Sequence, residues 1–340
     1  MEKYLKKKIQ PFDPSKAKTV EDVLVGLQSC SFQGRNLGQA LEILTSMVED
    51  KSCFRVLTLA GAMVPAGMEE LICQLIERKI IHAIVSTGAN ITHSVLNALD
   101  EEDRQVHYIG SPDVDDRDLY EHQIDRVYDT FLHEPSYWKA EDFILEKYLE
   151  DYGNEESQVV LTPSEFFSWL AKHLPGRSFI KVAADNNVPL FNPAFSDSDL
   201  GLDVSRYRRF SGVKMLVDEV GDIEKYAQLI TQHEMSGTII LGGGVPRNWT
   251  QQIFPYLENI AQRKGVEEID GFKGFKYSVR FHTAVPDDGG LSGCTLSESV
   301  SWGKYLPDAK MISVWADSTI VFPILITALF ERMDRLGIEA

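Results

Sequence analysis

FRVLTLAG (54–61), followed by MEELICQLIERK (68–79) and HAIVSTGAN (82–90), is the stretch on which the fold turns. The first segment is a short apolar run that ends in small residues. The second repeats its apolar positions at helical spacing, and the third is apolar until it runs out at Gly88. Strand, helix and strand, with small residues after each strand, is the pattern of a βαβ unit and predicts a parallel sheet.

The same alternation extends in both directions. Upstream, a polar lead-in of thirty-five residues precedes NLGQALEILTSMVED (36–50). There Leu37, Leu41, Leu44 and Val48 recur at three- and four-residue spacings, with Ala40 and Met47 on the same helical face. Downstream, a helix is predicted over Pro163–His173 with Thr162 as its cap, and strands over 178–184 (SFIKVAA) and 213–217 (VKMLV). A helix over Asp222–Gln232, a strand at GTIILGGG (237–244) and a helix over Thr250–Arg263 come next. Strands at 276–284 and 309–317 precede a final helix from Val321 to Leu336, with Pro323 in its first turn. Residues 100–157 break the pattern: the run EEDRQVHYIGSPDVDDRDLYEHQIDRVYDT (101–130) is charged and aromatic, and reads as an insertion of helices and loops on one edge of the sheet. With no Pro/Ser/Gly-rich linker, the expectation is a single domain over residues 1–340.

Composition narrows the function classes. Thirty-four Lys and Arg stand against 51 Asp and Glu, a formal net charge of −17, which repels nucleic acid and anionic membranes and favours cationic ligands. Four scattered cysteines, Cys30, Cys53, Cys73 and Cys294, form no CxxC pair and point to reduced thiols in a cytoplasmic protein. The N-terminal MEKYLKKKIQPFD has basic residues but no apolar segment after them, and no 18-residue apolar run occurs. A soluble protein without a membrane span is therefore expected. No HExxH or HxH spacing suggests a metal.

Ligands of parallel sheets gather beyond the carboxyl ends of the strands. Small residues crowd those ends at AGAMVPAG (60–67), STGAN (86–90), GGGVP (242–246) and DDGGLSG (287–293), although none forms GxGxxG. Four such clusters favour a phosphate-bearing ligand, because glycine permits close backbone approach. ESVSWGKYLPDAK (298–310) places Glu298, Trp302 and Lys304 within seven residues. A partly desolvated lysine becomes a nucleophilic amine, while a carboxylate beside it pulls the other way. On the residues alone, an ordinary surface lysine is the better account of this segment. His93 and His282 fall at predicted strand ends, where a proton transfer could occur.

SESVSWGKYL (297–306), GTIILGGGVPRN (237–248), FNPAFSDSDLG (191–201), FHTAVPDDGG (281–290) and VWADSTIVFPILI (314–326) together resemble the deoxyhypusine synthase family, from about residue 30 to the C-terminal end. The resemblance implies an α/β fold with a Rossmann-like, mostly parallel sheet and helices on both faces. It further implies a homotetramer built from tight dimers, with NAD at the dimer interface. The family moves an aminobutyl group from spermidine to an acceptor amine: the donor is oxidised with NAD, the carbon chain is held as an imine on a lysine, and the hydride is finally returned. Carried over, Lys304 is the nucleophile, Trp302 packs on the polyamine and Glu298 binds its ammonium. Thr87, Gly88, Asp197, Thr283, Ala284, Asp288, Gly289 and Asp317 stand where the family touches NAD.

This chain departs from the family pattern at several substrate positions. Asn248 replaces a histidine that takes part in proton transfer, and Leu291 replaces an aspartate that binds substrate. Leu202 occupies another aspartate's place, with Asp203 one residue later. Ile91, Thr92 and His93 replace an acidic run, and Ala62 an asparagine. Leucine cannot satisfy an ammonium group. The reading is an NAD-dependent transferase of an aminobutyl or similar aminoalkyl group between a polyamine donor and an amine acceptor, through an imine on Lys304. A small amine such as putrescine or agmatine would need fewer carboxylates than spermidine, and His93 would take over the proton transfer. The alternatives are an authentic deoxyhypusine synthase acting on a protein lysine, an NAD-dependent amine oxidoreductase, and a non-catalytic nucleotide-binding homologue.

Overall fold

The computed structural model describes residues 5–100, 105–265 and 274–340; residues 101–104 of the expected insertion lie outside that description. Packing divides the chain into two compact units, Met1–Thr58 with Ala227–Ala340, and Leu59–Tyr226. The first unit opens with α1 (Val20–Gln28), α2 (Phe32–Glu49) and β1 (Cys53–Leu59). Helix α1 belongs to the stretch read as a polar lead-in; its start is a capping box in which Thr19 and Asp22 satisfy each other's backbone N–H groups. Every residue of β1 is buried, as expected of a parallel strand covered on both faces.

The second unit contains α3 (Glu69–Glu77), β2 (Ala83–Ser86), α4 (Gly88–Leu99), β3 (His107–Ile109), α5 (Asp116–Glu121), β4 (Ile124–Val127), β5 (Thr130–His133) and α6 (Pro135–Tyr152). It continues through β6 (Val159–Leu161), α7 (Pro163–His173), α8 (Phe179–Asp185), β7 (Leu190–Phe191), α9 (Asp199–Phe210), β8 (Met215–Val217) and α10 (Gly221–Thr231). Strands β2 and β7 pair in parallel, as do β6 and β8. Helix α7 starts as predicted, with a second capping box between Thr162 and Glu165.

Two sequence expectations are corrected here. The run 178–184 is helix α8, not a strand: Ser178 accepts from the Lys181 N–H, and Phe179, Ile180, Val182 and Ala183 turn one helical face inward. The insertion is not only helices and loops, because β3, β5 and β4 form a three-stranded antiparallel sheet. Its strands are three or four residues long and mix polar with apolar side chains, too short for a period of two to show.

The first unit resumes with β9 (Met235–Leu241), α11 (Gly244–Lys264), β10 (Phe275–His282), β11 (Tyr305–Trp315) and α12 (Ser318–Leu336). Its strands lie in the order β11-β10-β9-β1, with β10 parallel to both β9 and β11. The α/β, Rossmann-like, mostly parallel sheet with flanking helices is the predicted architecture. Helix α12 begins at Ser318, earlier than expected, so Pro323 lies beyond the first turn. Helices α1, α2 and α12 are tied by a partly buried ionic cluster in which Arg332 Nε and Arg335 Nη2 donate to Glu21 Oε1 at 2.7 and 2.6 Å. Arg332 also donates to Glu42 at 2.7 Å. All four cysteines are free thiols. Among the described residues, no helix is long and apolar enough to cross a membrane.

Candidate functional site

The candidate site of the first unit is assembled where β9 gives way to α11. Gly242 and Gly244 have φ of +83° and +59°, left-handed values that favour glycine, and a Cβ on Gly243 would lie 3.2 Å from Arg280 Nη2. The three glycines thus let the chain turn tightly into α11 against a buried arginine. Arg280, on β10, is fully buried. Its guanidinium donates to the Gly242 carbonyl at 3.0 Å, to the Cys294 carbonyl at 2.7 Å and to the Ser292 carbonyl, joining the glycine turn to the loop that leads towards Lys304. Burial lowers its pKa to about 10, which still leaves it charged at neutral pH.

Lys304 follows a short 3₁₀ turn, Glu298–Trp302, that closes at Gly303 with φ +69°. Backbone bonds hold it on both sides: its N–H donates to the Ser299 carbonyl at 3.2 Å, and its carbonyl accepts from the Phe275 N–H at 3.0 Å. Next to it, buried Tyr305 accepts through Oη from Gln251 at 2.6 Å and meets Ser278 Oγ at 3.0 Å, anchoring the start of β11. Lys304 is half-buried, and its Nζ donates to Asn248 Oδ1 at 2.9 Å. Burial and the nearby charge of Arg247 both lower its pKa below the usual lysine range. Arg247, in the first turn of α11, is 5% exposed; one Nη reaches Ser299 Oγ at 3.4 Å, and Nε has no hydrogen-bond partner among the described residues.

In the sequence Asn248 stands out only as a missing histidine, and neither Arg247 nor Arg280 is marked. A signal exists for Arg280: a charge in the middle of the strand KYSVRFHTA, flanked by Val279 and Phe281, is either paired or functional. Glu298 and Trp302, expected beside the lysine, are both exposed, Trp302 by 65%. The lowered pKa of Lys304 therefore owes nothing to an enclosing indole.

Beside the ends of β10 and β11 lies a cleft of about 510 Å³, lined by His282, Ala284, Leu296, Met311 and Trp315 among others. Burial lowers the His282 pKa to about 4, so its ring is neutral. Ala284, expected at the cofactor, lines this cleft, and Thr283 is exposed beside it. Asp288 and Gly289 lie in an exposed loop, while Asp317 caps α12 by accepting from the Thr319 N–H at 2.8 Å. Leu291, in the same loop as Asp288, is 69% exposed with φ +60°, a left-handed conformation that costs a leucine about 1–2 kcal/mol.

In the second unit, Thr87 Oγ1 donates to the Gly61 carbonyl at 2.8 Å, and buried Asn90 donates to that carbonyl and to Thr87 Oγ1 at 3.1 and 3.0 Å. A Cβ on Gly88 would lie 2.1 Å from Ser198 Cβ, so glycine lets the start of α4 meet the residue that follows Asp197. Asp203 does not stand in for the aspartate replaced by Leu202. One residue is a rotation of about 100° on α9, so Leu202 is 52% exposed while Asp203 is 5% exposed and paired with Arg206. His93 is buried against His107, Nδ1 to Nε2 at 2.9 Å, and burial lowers its pKa to about 3. A ring held neutral at every physiological pH is poorly matched to the proton transfer expected of it.

Fold and site define an α/β protein with glycine-built strand ends and a half-desolvated lysine. The family model for deoxyhypusine synthase matches residues 22–329. A probable deoxyhypusine synthase 2 of Methanosarcina acetivorans is 36% identical over 94% of this chain and 89% of its own. A deoxyhypusine synthase-like protein of Chlorobaculum parvum is 31% identical over 90% and 85%. A crystal structure from Entamoeba histolytica, provisionally assigned to deoxyhypusine synthase, shares the fold with a TM-score of 0.63 at 18% identity, over 95% of this chain and 97% of that one. The chain belongs to the deoxyhypusine synthase family.

Proposed function

We propose that this protein is an NAD-dependent transferase that passes an aminobutyl or similar aminoalkyl group from an amine donor to an amine acceptor through an imine on Lys304. The observation that carries the reading is the state of that lysine. Its amine is half-buried, lies near a buried cation and rests on a neutral acceptor 2.9 Å away. The burial and the neighbouring cation favour the uncharged nucleophile, and the amide, unlike a carboxylate, adds no negative charge to oppose them.

Support for NAD comes from the first unit, where the cleft of about 510 Å³ that Ala284 lines has the volume of a small-molecule site. Within the first unit, Ala284, Thr283, Asp288, Gly289 and Asp317 are the residues assigned to NAD. When bound, NAD supplies reversible hydride exchange with a carbon that bears an amine. Lys304 contributes the exchange of nitrogen partners. Its free amine adds to the imine carbon of the oxidised donor, the original amine leaves with the two hydrogens that Nζ gives up, and the C=N bond is retained. The acceptor amine repeats this exchange and frees Lys304. Asn248 accepts an N–H from Nζ and so orients its lone pair, but as an amide it cannot relay a proton.

Incubation with NAD and a panel of diamines, followed by borohydride, should add the mass of an aminoalkyl group to Lys304. K304A should lose the adduct and turnover while binding NAD normally. Turnover retained in K304A would end the covalent proposal; reduction of NAD without an adduct would favour an oxidoreductase.

A further inference from the structure

Three cationic side chains, Arg247, Arg280 and Lys304, gather at the N-terminal end of the 21-residue helix α11. That end is itself the positive pole of the helix dipole, where an arginine is disfavoured. Among the described residues none of the three forms an ion pair with a carboxylate: Arg280 is satisfied by carbonyls, Lys304 meets Asn248, and Arg247 meets only Ser299 Oγ, at 3.4 Å. Glu298 is exposed, and Glu258 lies near Gly303 without pairing with any of the three. Arg247 is the residue without compensation, 5% exposed and with an unpartnered Nε. A buried guanidinium lacking a counter-charge is costly, and a carboxylate in fork geometry relieves that cost.

We propose that Arg247, with the start of α11, binds a carboxylate carried by the amine substrate, so that the amine presented to Lys304 belongs to an amino acid and not to a simple polyamine. The proposal names the substrate class of the Lys304 site and rests on the transferase reading. The exposed Leu291, in the loop that leads towards Lys304, offers no negative charge to a second ammonium and agrees with it.

The first test is direct binding to the full chain by calorimetry, comparing 4-aminobutanoate with 1-aminobutane, which lacks the carboxylate. The acid should bind at least ~10-fold more tightly, R247M should abolish the difference, and R247K should keep part of it. This readout needs no chemistry at Lys304, so it stands even if the transferase reading fails. The second test compares ornithine with 1,4-diaminobutane, the same chain without the carboxylate, by NAD reduction and by borohydride-trapped adduct. Wild type should favour ornithine, and R247M should bring the two to parity. Equal binding of the first pair, or a preference that R247M leaves intact, overturns the proposal. So does a loss of NAD affinity in R247M with amine preference unchanged, since the anion would then be a cofactor phosphate. Should R247M not fold, as judged by its thermal transition, R247K and R247Q carry the same comparisons.

Discussion

Lys304 and Asn248 meet across 56 positions of sequence, and their contact sets the chemistry of the amine. An amide oxygen orients Nζ without favouring its charged form as strongly as a carboxylate would. Asn248→Asp places a full negative charge in hydrogen-bond contact, favours the ammonium and raises the lysine pKa. Each rise of one in that pKa should slow adduct formation at neutral pH by about tenfold, and the rate should recover as pH rises. A pH–rate profile of borohydride trapping measures this, and an unchanged profile would mean that the two side chains are apart in the working enzyme. The identity of Lys304 is legible because a resemblance marks it. Its environment is not, because Arg247 and Asn248 approach it only through the turn from β9 into α11.

Among the elements, caps and amphipathic faces are legible wherever the signal is local. Thr162 with Glu165, and the apolar stripe of α2, are decided by residues three and four apart. Helix α8 reads as a strand because seven residues with apolar positions in pairs satisfy either periodicity. The joining of α1 to α12 cannot be read at all, since Glu21 and its arginines are 311 and 314 positions apart. Hydrogen bonds from Arg335, and then Arg332, hold the Glu21 carboxyl below its usual range. Because the folded-state pKa is depressed, the stabilisation is complete above the unfolded value of about 4.3 and is lost as pH falls through the folded value. E21Q should cost about 2–3 kcal/mol at neutral pH. In urea titrations the gap from wild type should close on acidification below about pH 4; a gap independent of pH would show that the charge of Glu21 contributes nothing.

At the scale of the whole molecule, a formal net charge of −17 surrounds a site whose own groups are cationic. The outer field attracts a dicationic amine from a distance, and added salt screens that attraction. The kcat/KM for 1,4-diaminobutane should fall as ionic strength rises from low to physiological, whereas that for zwitterionic amines should fall less. Equal salt dependence for both would show that long-range charge does not guide substrate entry.

Taken alone, the sequence determined the alternation of strands and helices, the parallel pairing, the glycine-bearing strand ends and the family, because each is written in residues close along the chain or in ordered motifs. Only the tertiary structure decided that Arg247 and Asn248 lie beside Lys304, that Arg280 is buried at the glycine turn, and that Trp302 and Leu291 face outward. Those relations depend on how β9, β10 and β11 lie side by side, and no local pattern encodes the distance between side chains on neighbouring strands.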